Sequence, residues 1–199
     1  MRSVSRSPTG ASAGLRSAEH GVLLFADALS RDMAELPGRV GRAFRDHNAF
    51  EEMEAGRYES TVTPFDGVVT VDAVDDGRLQ FHVTVRVPML DKVTEDHVAD
   101  VVEEGWYETF ALRIEDIGGV TAADHNLDPT VERERRQAVV RVSFADINER
   151  RGVDDAGAVI DYVEGTFVQG IIPGYQYTDP VTSLVDSARQ AGGSSDAPQ

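Results

Sequence analysis

Histidine is the side chain best suited to acid–base and metal chemistry near neutral pH, and this chain has five. They are His20, His47, His82, His97 and His125. No two of them stand at the spacing that places two metal ligands on one face of a helix or strand. Cysteine is absent, which excludes disulfides, thiolate metal sites and cysteine nucleophiles. We therefore predict no metal site and no catalytic residue.

His82 is the strongest single candidate for proton transfer. It lies in the middle of a predicted strand, whose alternation places Thr84 and Arg86 on the same polar face. An ordinary residue on a polar sheet face shows the same pattern. We therefore predict His82 and Arg86 as binding residues and not as catalytic ones.

Two further histidines stand beside acidic residues. His97 follows Glu95 and Asp96, but three consecutive helical residues point to different sides of the helix and make poor joint ligands. Asp124 and His125 lie in a predicted turn, where we expect both side chains to face water.

The charge balance narrows the classes of partner. The formal charge is −16, with 35 acids against 19 lysines and arginines, and such a charge repels nucleic acids and anionic membranes. No apolar run approaches the roughly 20 residues of a membrane span, and no standard phosphate, dinucleotide, hydrolase or zinc-protease motif is present. We predict no cofactor, no nucleic-acid partner and no membrane contact.

The choice of charged residues indicates adaptation to salt. Lys92 is the only lysine, and every other strong base is arginine. Arginine is more weakly hydrated than lysine and pairs bidentately with carboxylates, which suits an acidic surface in concentrated salt. A GC-rich genome also exchanges lysine for arginine, but codon bias does not account for the excess of acids. We predict a cytoplasmic protein of a salt-adapted cell.

The chain divides into three parts by composition. Residues 1–32 are rich in serine, glycine and alanine and are expected to be a disordered extension or an incorrectly assigned start. Residues 34–190 have the pattern of a single folded domain. Residues 191–199 are expected to be a disordered tail.

Alternating apolar and polar residues predict an antiparallel hairpin over residues 68–88, with its turn at Asp75, Asp76 and Gly77. Strands are also predicted at residues 57–63 and twice within residues 130–144, where the alternation is clearest over residues 138–144. The apolar faces of the second hairpin strand and of residues 138–144 are formed by Leu79, Phe81, Val83, Val85 and Val87 and by Ala138, Val140, Val142 and Phe144.

Four helices are predicted from apolar residues that recur every three or four positions. They span residues 36–53, 93–119, 153–172 and 179–190. Thr94 is suited to cap the second helix, and Asp154 or Asp155 the third. The apolar stripes are Val40, Phe44 and Phe50, then Val98, Val102, Trp106 and Phe110, then Ile160, Val163, Phe167 and Ile171.

The order of elements is α-β-β-β-α-(β)-β-α-α. Hairpin strands interrupted by helices are typical of the α+β class. We predict an antiparallel sheet of about five strands with helices packed on one face. The polar face of the sheet would carry Thr61, Thr70, Gln80, His82, Thr84, Arg86, Arg141 and Ser143.

The stretch IIPGYQYTDP, residues 171–180, connects the last two helices. Pro173 and Gly174 suit a helix end, which leaves Tyr175 and Tyr177 in a short connection. Either their rings fold onto the core with a hydroxyl in water, or they line a binding surface. Helical glycines at 165 and 170 favour a close approach nearby.

Several stretches resemble a small family of uncharacterised haloarchaeal proteins. They are YVEGTFVQGIIPGYQY, EEGWYETFALRIED and the NAFE of residues 48–51. This resemblance implies no activity. The order of elements, with VRVPML closing the third strand, more distantly resembles the YbjN and type III secretion chaperone-like fold, which implies protein partners and dimers.

Two functions from different classes fit these patterns. The first is a non-enzymatic module that binds a protein partner or itself, through the open sheet face or the region of Tyr175 and Tyr177. The second is a small-molecule-binding protein or enzyme with a pocket between the sheet and the C-terminal helices. That pocket would be lined by Trp106, Tyr107, Phe167, Tyr175 and Tyr177, with His82 facing it.

Overall fold

The computed structural model describes residues 36–193. Its helices are α1 (Gly38–Asp46), α2 (Asp100–Ile114), α3 (Glu149–Gln169) and α4 (Val181–Gly193). Its strands are β1 (Phe50–Glu54), β2 (Arg57–Ser60), β3 (Asp66–Ala73), β4 (Leu79–Pro88), β5 (Thr130–Glu134) and β6 (Gln137–Asp146). The predicted extension, residues 1–32, and residues 194–199 of the predicted tail lie outside the described residues.

The strands form one antiparallel sheet in the order β1-β2-β3-β4-β6-β5. This confirms the predicted α+β class, with six strands in place of about five. The additional strand is β1, because Asn48 at φ 58° ends the first helix early and Phe50 enters the sheet. Only Phe50 of β1 is buried, so this edge strand carries no alternation that sequence analysis could detect.

The predicted hairpin of β3 and β4 is confirmed. Val69 pairs with Val83, and the register continues without a bulge from Asp66–Arg86 to Ala73–Leu79. Asp76 and Gly77 both have positive φ at the connection. The apolar residues of β4 and β6 that share one face are buried, as their alternation predicts.

Helix α3 packs across β4 and β6 and closes the core over the centre of the sheet. Gly152 lies directly on the Phe81 ring, where the Cβ of any other residue would overlap the ring atoms. Phe81 in turn stacks on Phe144 of the neighbouring strand, with ring centroids 5.2 Å apart. Glycine at position 152 therefore sets how closely this helix approaches the sheet.

Both long helices begin at other residues than predicted. Thr94 does not cap α2, because its hydroxyl donates to the carbonyls of Leu90 and Asp96 and its backbone pairs with Tyr177. Helix α3 begins at Glu149, four residues before the predicted start at residue 153, because the side chain of Asn148, and not that of Asp154 or Asp155, accepts the backbone N–H groups of the first turn.

The sheet face opposite the helices is covered by ion pairs. Arg86 contacts Asp66 at 3.2 Å, and Arg141 binds both Glu132 and Glu134 on β5. Val139 points to this face, since its neighbours in β6 face the core. It is nevertheless fully buried, and its partners on the two adjacent strands are Arg86 and Glu132. The long charged side chains therefore shield apolar surface on this face.

The contact of α3 with the sheet can be tested by adding one methyl group. Gly152→Ala places a Cβ in the Phe81 ring, so we expect a loss of about 1–3 kcal/mol in the free energy of unfolding. Gly105→Ala, in α2, meets no atom within 4 Å and should instead stabilise by about 0.5–1 kcal/mol. Urea unfolding measures both variants. Equal stabilities for the two would contradict the proposed contact.

Candidate functional site

A concave groove of about 360 Å³ lies between α2 and the residues that follow α3. Its lining consists of Val101, Val102, Gly105, Trp106, Thr109, Phe110, Arg113, Gln169, Gly170 and Ile172. The Trp106 ring stacks on Phe110 and meets Phe167 edge-on, with centroids 5.4 and 5.6 Å away. The core of the domain thus holds the indole at the base of the groove.

Two glycines shape this groove in different ways. A Cβ at Gly105 would meet nothing within 4 Å, so the missing side chain leaves open space along α2. A Cβ at Gly170 would lie 2.8 Å from the indole nitrogen of Trp106, so only glycine permits this approach. The close approach predicted near residue 170 is confirmed. The same expectation for Gly165 is wrong, because its missing side chain also faces open space.

The groove has two hydrogen-bond donors that lack a protein partner. The indole N–H of Trp106 is buried and has no acceptor within residues 36–193, and Trp106 as a whole is 5% exposed. A buried donor without an acceptor costs about 1–3 kcal/mol. Arg113, two turns further along α2, forms no ion pair with any described residue and is the only charged residue in the lining. An acceptor or anion in the groove would satisfy both groups.

Tyr175 and Tyr177 do not line the groove but support its wall. The Tyr177 hydroxyl accepts the N–H of Ile172 at 2.9 Å and donates to the Ile172 carbonyl, which closes the connection on itself. Burial raises the pKa of Tyr177, although the hydrogen bond from Ile172 opposes the shift. Backbone bonds from Thr178 to Val93 then tie the connection to the segment before α2. Both tyrosines pack against the core.

The other predicted binding residues are dispersed. Tyr107 donates to the carbonyl of Val131 and carries Arg133 over its ring at 5.2 Å, so it joins α2 to β5. Phe167 is fully buried beneath Trp106. Of the five aromatic residues predicted to line one pocket, only Trp106 lines this groove.

His82 and Arg86 lie on the sheet face opposite the helices, away from the groove. His82 Nδ1 is 2.8 Å from the Ser143 hydroxyl, and its Nε2 is 3.5 Å from a carboxylate oxygen of Asp72. Arg86 is paired with Asp66. The two residues have separate partners and form no joint site. That His82 and Arg86 bind a ligand stays a prediction.

His125 is not solvated, contrary to expectation, and it joins a buried polar cluster. Its side chain is 9% exposed, and its ring stacks on Phe144 with centroids 4.5 Å apart. Its Nε2 lies 2.9 Å from Asp155 Oδ2 and 3.7 Å from Asp146 Oδ2. Residues far apart in the sequence form this cluster, so their spacing gave no signal.

The carboxylates of this cluster have protein donors already. Asp155 accepts the backbone N–H groups of Ala122 at 2.6 Å and Ala123 at 3.4 Å, besides its contact with His125. Arg151 binds both oxygens of Asp146 at 2.7 and 2.8 Å. Burial, the largest influence, raises the pKa of Asp146, but the bonds and charge of Arg151, the Asn148 N–H and the charge of His125 together hold it below the usual range.

The same cluster is the only set of three potential metal ligands that lie together in the described part of the chain. The three ligand atoms are within 4.8 Å of one another, which is close enough for one ion. A cation would, however, have to displace Arg151 from Asp146 and the loop N–H groups from Asp155. The arrangement fits a latch that holds the loop before β5 against α3 better than a metal centre.

The chain belongs to a family of unknown function, DUF5813, whose model matches residues 45–187. The match spans all six strands, α2, α3 and the groove. No curated protein and no solved structure matches the chain. The predicted resemblance to an uncharacterised family is thereby confirmed, while the haloarchaeal origin and the relation to the YbjN and secretion-chaperone fold stay predictions.

Between residues 36 and 193, no helix combines the length and the apolar character needed to cross a bilayer.

The latch predicts how stability changes with pH. A carboxyl whose pKa is lowered by folding contributes stability above its unfolded pKa of about 3.9, and this contribution is lost as the pH falls through the folded pKa. We expect Asp146→Asn to cost about 2–4 kcal/mol near pH 7, since it leaves the Arg151 bonds incomplete. The difference in the free energy of unfolding between Asp146→Asn and the parent protein should become smaller below about pH 4.

Urea unfolding over this pH range measures the effect, with Asp128→Asn as the matched control because Asp128 is exposed. The control should follow the parent protein at every pH. A deficit for Asp146→Asn that stays constant down to acid pH would show that the carboxylate charge does not hold the latch.

Proposed function

We propose that this protein is a non-enzymatic binding module that holds part of a protein partner in the groove along α2. The observation that carries the proposal is the indole N–H of Trp106, which has no acceptor among residues 36–193 and lies in an apolar, concave lining. Among the described residues, the lining has no carboxylate, histidine, lysine or serine, and its one hydroxyl, that of Thr109, donates to the Gly105 carbonyl and has no general base beside it in the lining. Binding is therefore the function that these side chains support.

The lining also defines the chemistry of the occupant. Val101, 79% exposed at the rim, and Phe110 offer apolar contacts. Trp106 and Arg113 are seven positions apart, so they lie on the same side of α2. Trp106 offers an N–H, and Arg113 offers a guanidinium that has no ion-pair partner in the described part of the chain. The matching group is an apolar side chain followed by a carboxylate, as at the C-terminus of a protein chain.

Self-association through the sheet edges is disfavoured. The edge strand β1 carries Glu51, Glu52 and Glu54, and the opposite edge strand carries Glu132 and Glu134. Carboxylates along an edge repel the same edge of a second copy. A homodimer of this chain would therefore use the α2 groove or another surface.

A small molecule is the second candidate for the same groove. A volume of about 360 Å³ lies within the range of known ligand pockets, roughly 300–1,000 Å³. The required chemistry is unchanged, because a free organic acid presents the same apolar body and carboxylate as a protein C-terminus.

Trp106 is the only tryptophan, so its fluorescence reports on the groove alone. We expect N-acetyl-leucyl-leucine, which has a free carboxylate, to shift the emission in a saturable titration. The C-terminal amide of the same peptide should bind at least about tenfold more weakly, since it lacks the negative charge that would pair with Arg113. Octanoate serves as the small-molecule probe.

Two leucine variants provide the control. Gly105→Leu fills the groove, whereas Gly165→Leu adds the same side chain to open space on α3, outside the groove. Binding should be lost in the first and kept in the second. Tighter binding of the peptide favours a protein partner, and tighter binding of octanoate favours a small molecule. If neither probe gives a saturable response, the groove is not the binding site.

We also propose that the protein works in a salt-adapted cytosol, which its excess of acids supports. Repulsion between carboxylates extends about 30 Å at 0.01 M salt and about 3 Å at 1 M. The melting temperature should therefore rise as KCl increases from about 0.1 M to about 2 M. A melting curve that does not change over this range would contradict the proposal.

A further inference from the structure

A second, smaller cavity of about 180 Å³ lies on the other side of α3, where this helix meets the end of α1 and strands β1 and β2. The residues that matter for its chemistry are His47, Phe50, Ser60, Asp154, Gly157 and Asp161. No residue lines both this cavity and the groove, so an occupant here would be independent of the proposed function.

Two polar groups of this lining are buried without a partner. Neither His47 Nδ1 nor the Ser60 hydroxyl has a hydrogen-bond partner within the described residues, and Ser60 is only 7% exposed. Each such group costs about 1–3 kcal/mol if nothing satisfies it. Two of them in the lining of one cavity point to a polar occupant.

The tautomer of His47 indicates what this occupant must provide. Nε2 of the ring lies 3.4 Å from a carboxylate oxygen of Asp154, which can only accept, so Nε2 carries the proton of the neutral ring. Nδ1 is then an acceptor. The Ser60 hydroxyl can also accept.

The charged residues of the lining also favour an occupant that donates hydrogen bonds, and specifically a cation. Asp154 and Asp161 are both in the lining, and no lysine or arginine of residues 36–193 is. Partial burial raises the pKa of Asp161, so a cation beside this carboxylate would stabilise its ionised form. The Phe50 ring, 5.3 Å from His47, adds an aromatic wall.

We propose that this cavity binds a small organic cation with several N–H donors, of the guanidinium or alkylammonium type. A guanidinium has five donors in one plane, which can reach acceptors that are spread around a cavity. The volume accommodates such a group but not a large ligand. A metal ion is less suitable, because no three ligand atoms of this lining converge in the described structure.

The proposal is tested by titration with methylguanidinium, with neutral methylurea as the isosteric control. The His47 imidazole signals are followed by NMR at mildly alkaline pH and are assigned by their loss in His47→Gln. We expect saturable shifts with methylguanidinium and none with methylurea. Equal shifts with both compounds, or no shift with either, would overturn the proposal.

Variants then locate the site. Ser60→Ala should weaken binding about fivefold and Asp161→Asn about tenfold, as expected for one neutral and one charged hydrogen bond. The controls Ser187→Ala and Asp186→Asn, on α4 and outside this cavity, should leave it unchanged. If the controls weaken binding as much, the cation associates with the acidic surface in general and the cavity is not its site.

A further probe distinguishes the two sources of such a cation, which are a free small molecule and an arginine side chain of a partner protein. N-acetylarginine methylamide presents the same guanidinium on a peptide backbone, as an arginine of a partner protein would. Binding as tight as that of methylguanidinium identifies a partner's side chain as the occupant. Binding of methylguanidinium alone identifies a free metabolite. Either result supports the cavity as a cation site, and failure of both ligands excludes it.

Discussion

The contact between Gly152 of α3 and the Phe81 ring of β4 is the constraint on which the rest of the structure depends. Helix and sheet come closer here than any side chain larger than hydrogen allows. The Asn148 cap and the bonds from Arg151 to Asp146 fix where the helix begins, at the end of the strand that pairs with β4. The direction of α3 and its distance from the sheet are thus set within the first turn of the helix.

Helix α3 then positions the latch, the second cavity and one wall of the groove. Its buried Asp155 holds the loop before β5. Its exposed side brings Asp154 to His47 and places Asp161 in the same cavity. Its last turn packs Phe167 against Trp106 and ends at Gly170, which lies against the indole nitrogen. The latch, the cavity and the groove therefore share one rigid support, although they have no residue in common.

Sequence analysis predicted the features that depend on local periodicity. The β3–β4 hairpin and the apolar faces of β4, β6 and α3 followed from alternation and helical spacing, because each has one buried face. Strand β1 was missed because four of its five residues are exposed, and the start of α3 was misplaced because many acids in this chain resemble caps. His125 was placed in water because its partners are about 20 to 30 residues away. Unpaired groups such as the Ser60 hydroxyl have no sequence pattern at all.

The indole N–H of Trp106, which has no acceptor among residues 36–193, would gain one from a ligand in the α2 groove. Because the chain has one tryptophan, a proton–nitrogen correlation spectrum contains one indole signal. We expect this signal to move downfield and its exchange with water to slow when N-acetyl-leucyl-leucine is added, as for a donor that gains a hydrogen bond. The signal should not respond in Gly105→Leu. An indole proton whose shift and exchange are unchanged at saturating peptide would contradict the account.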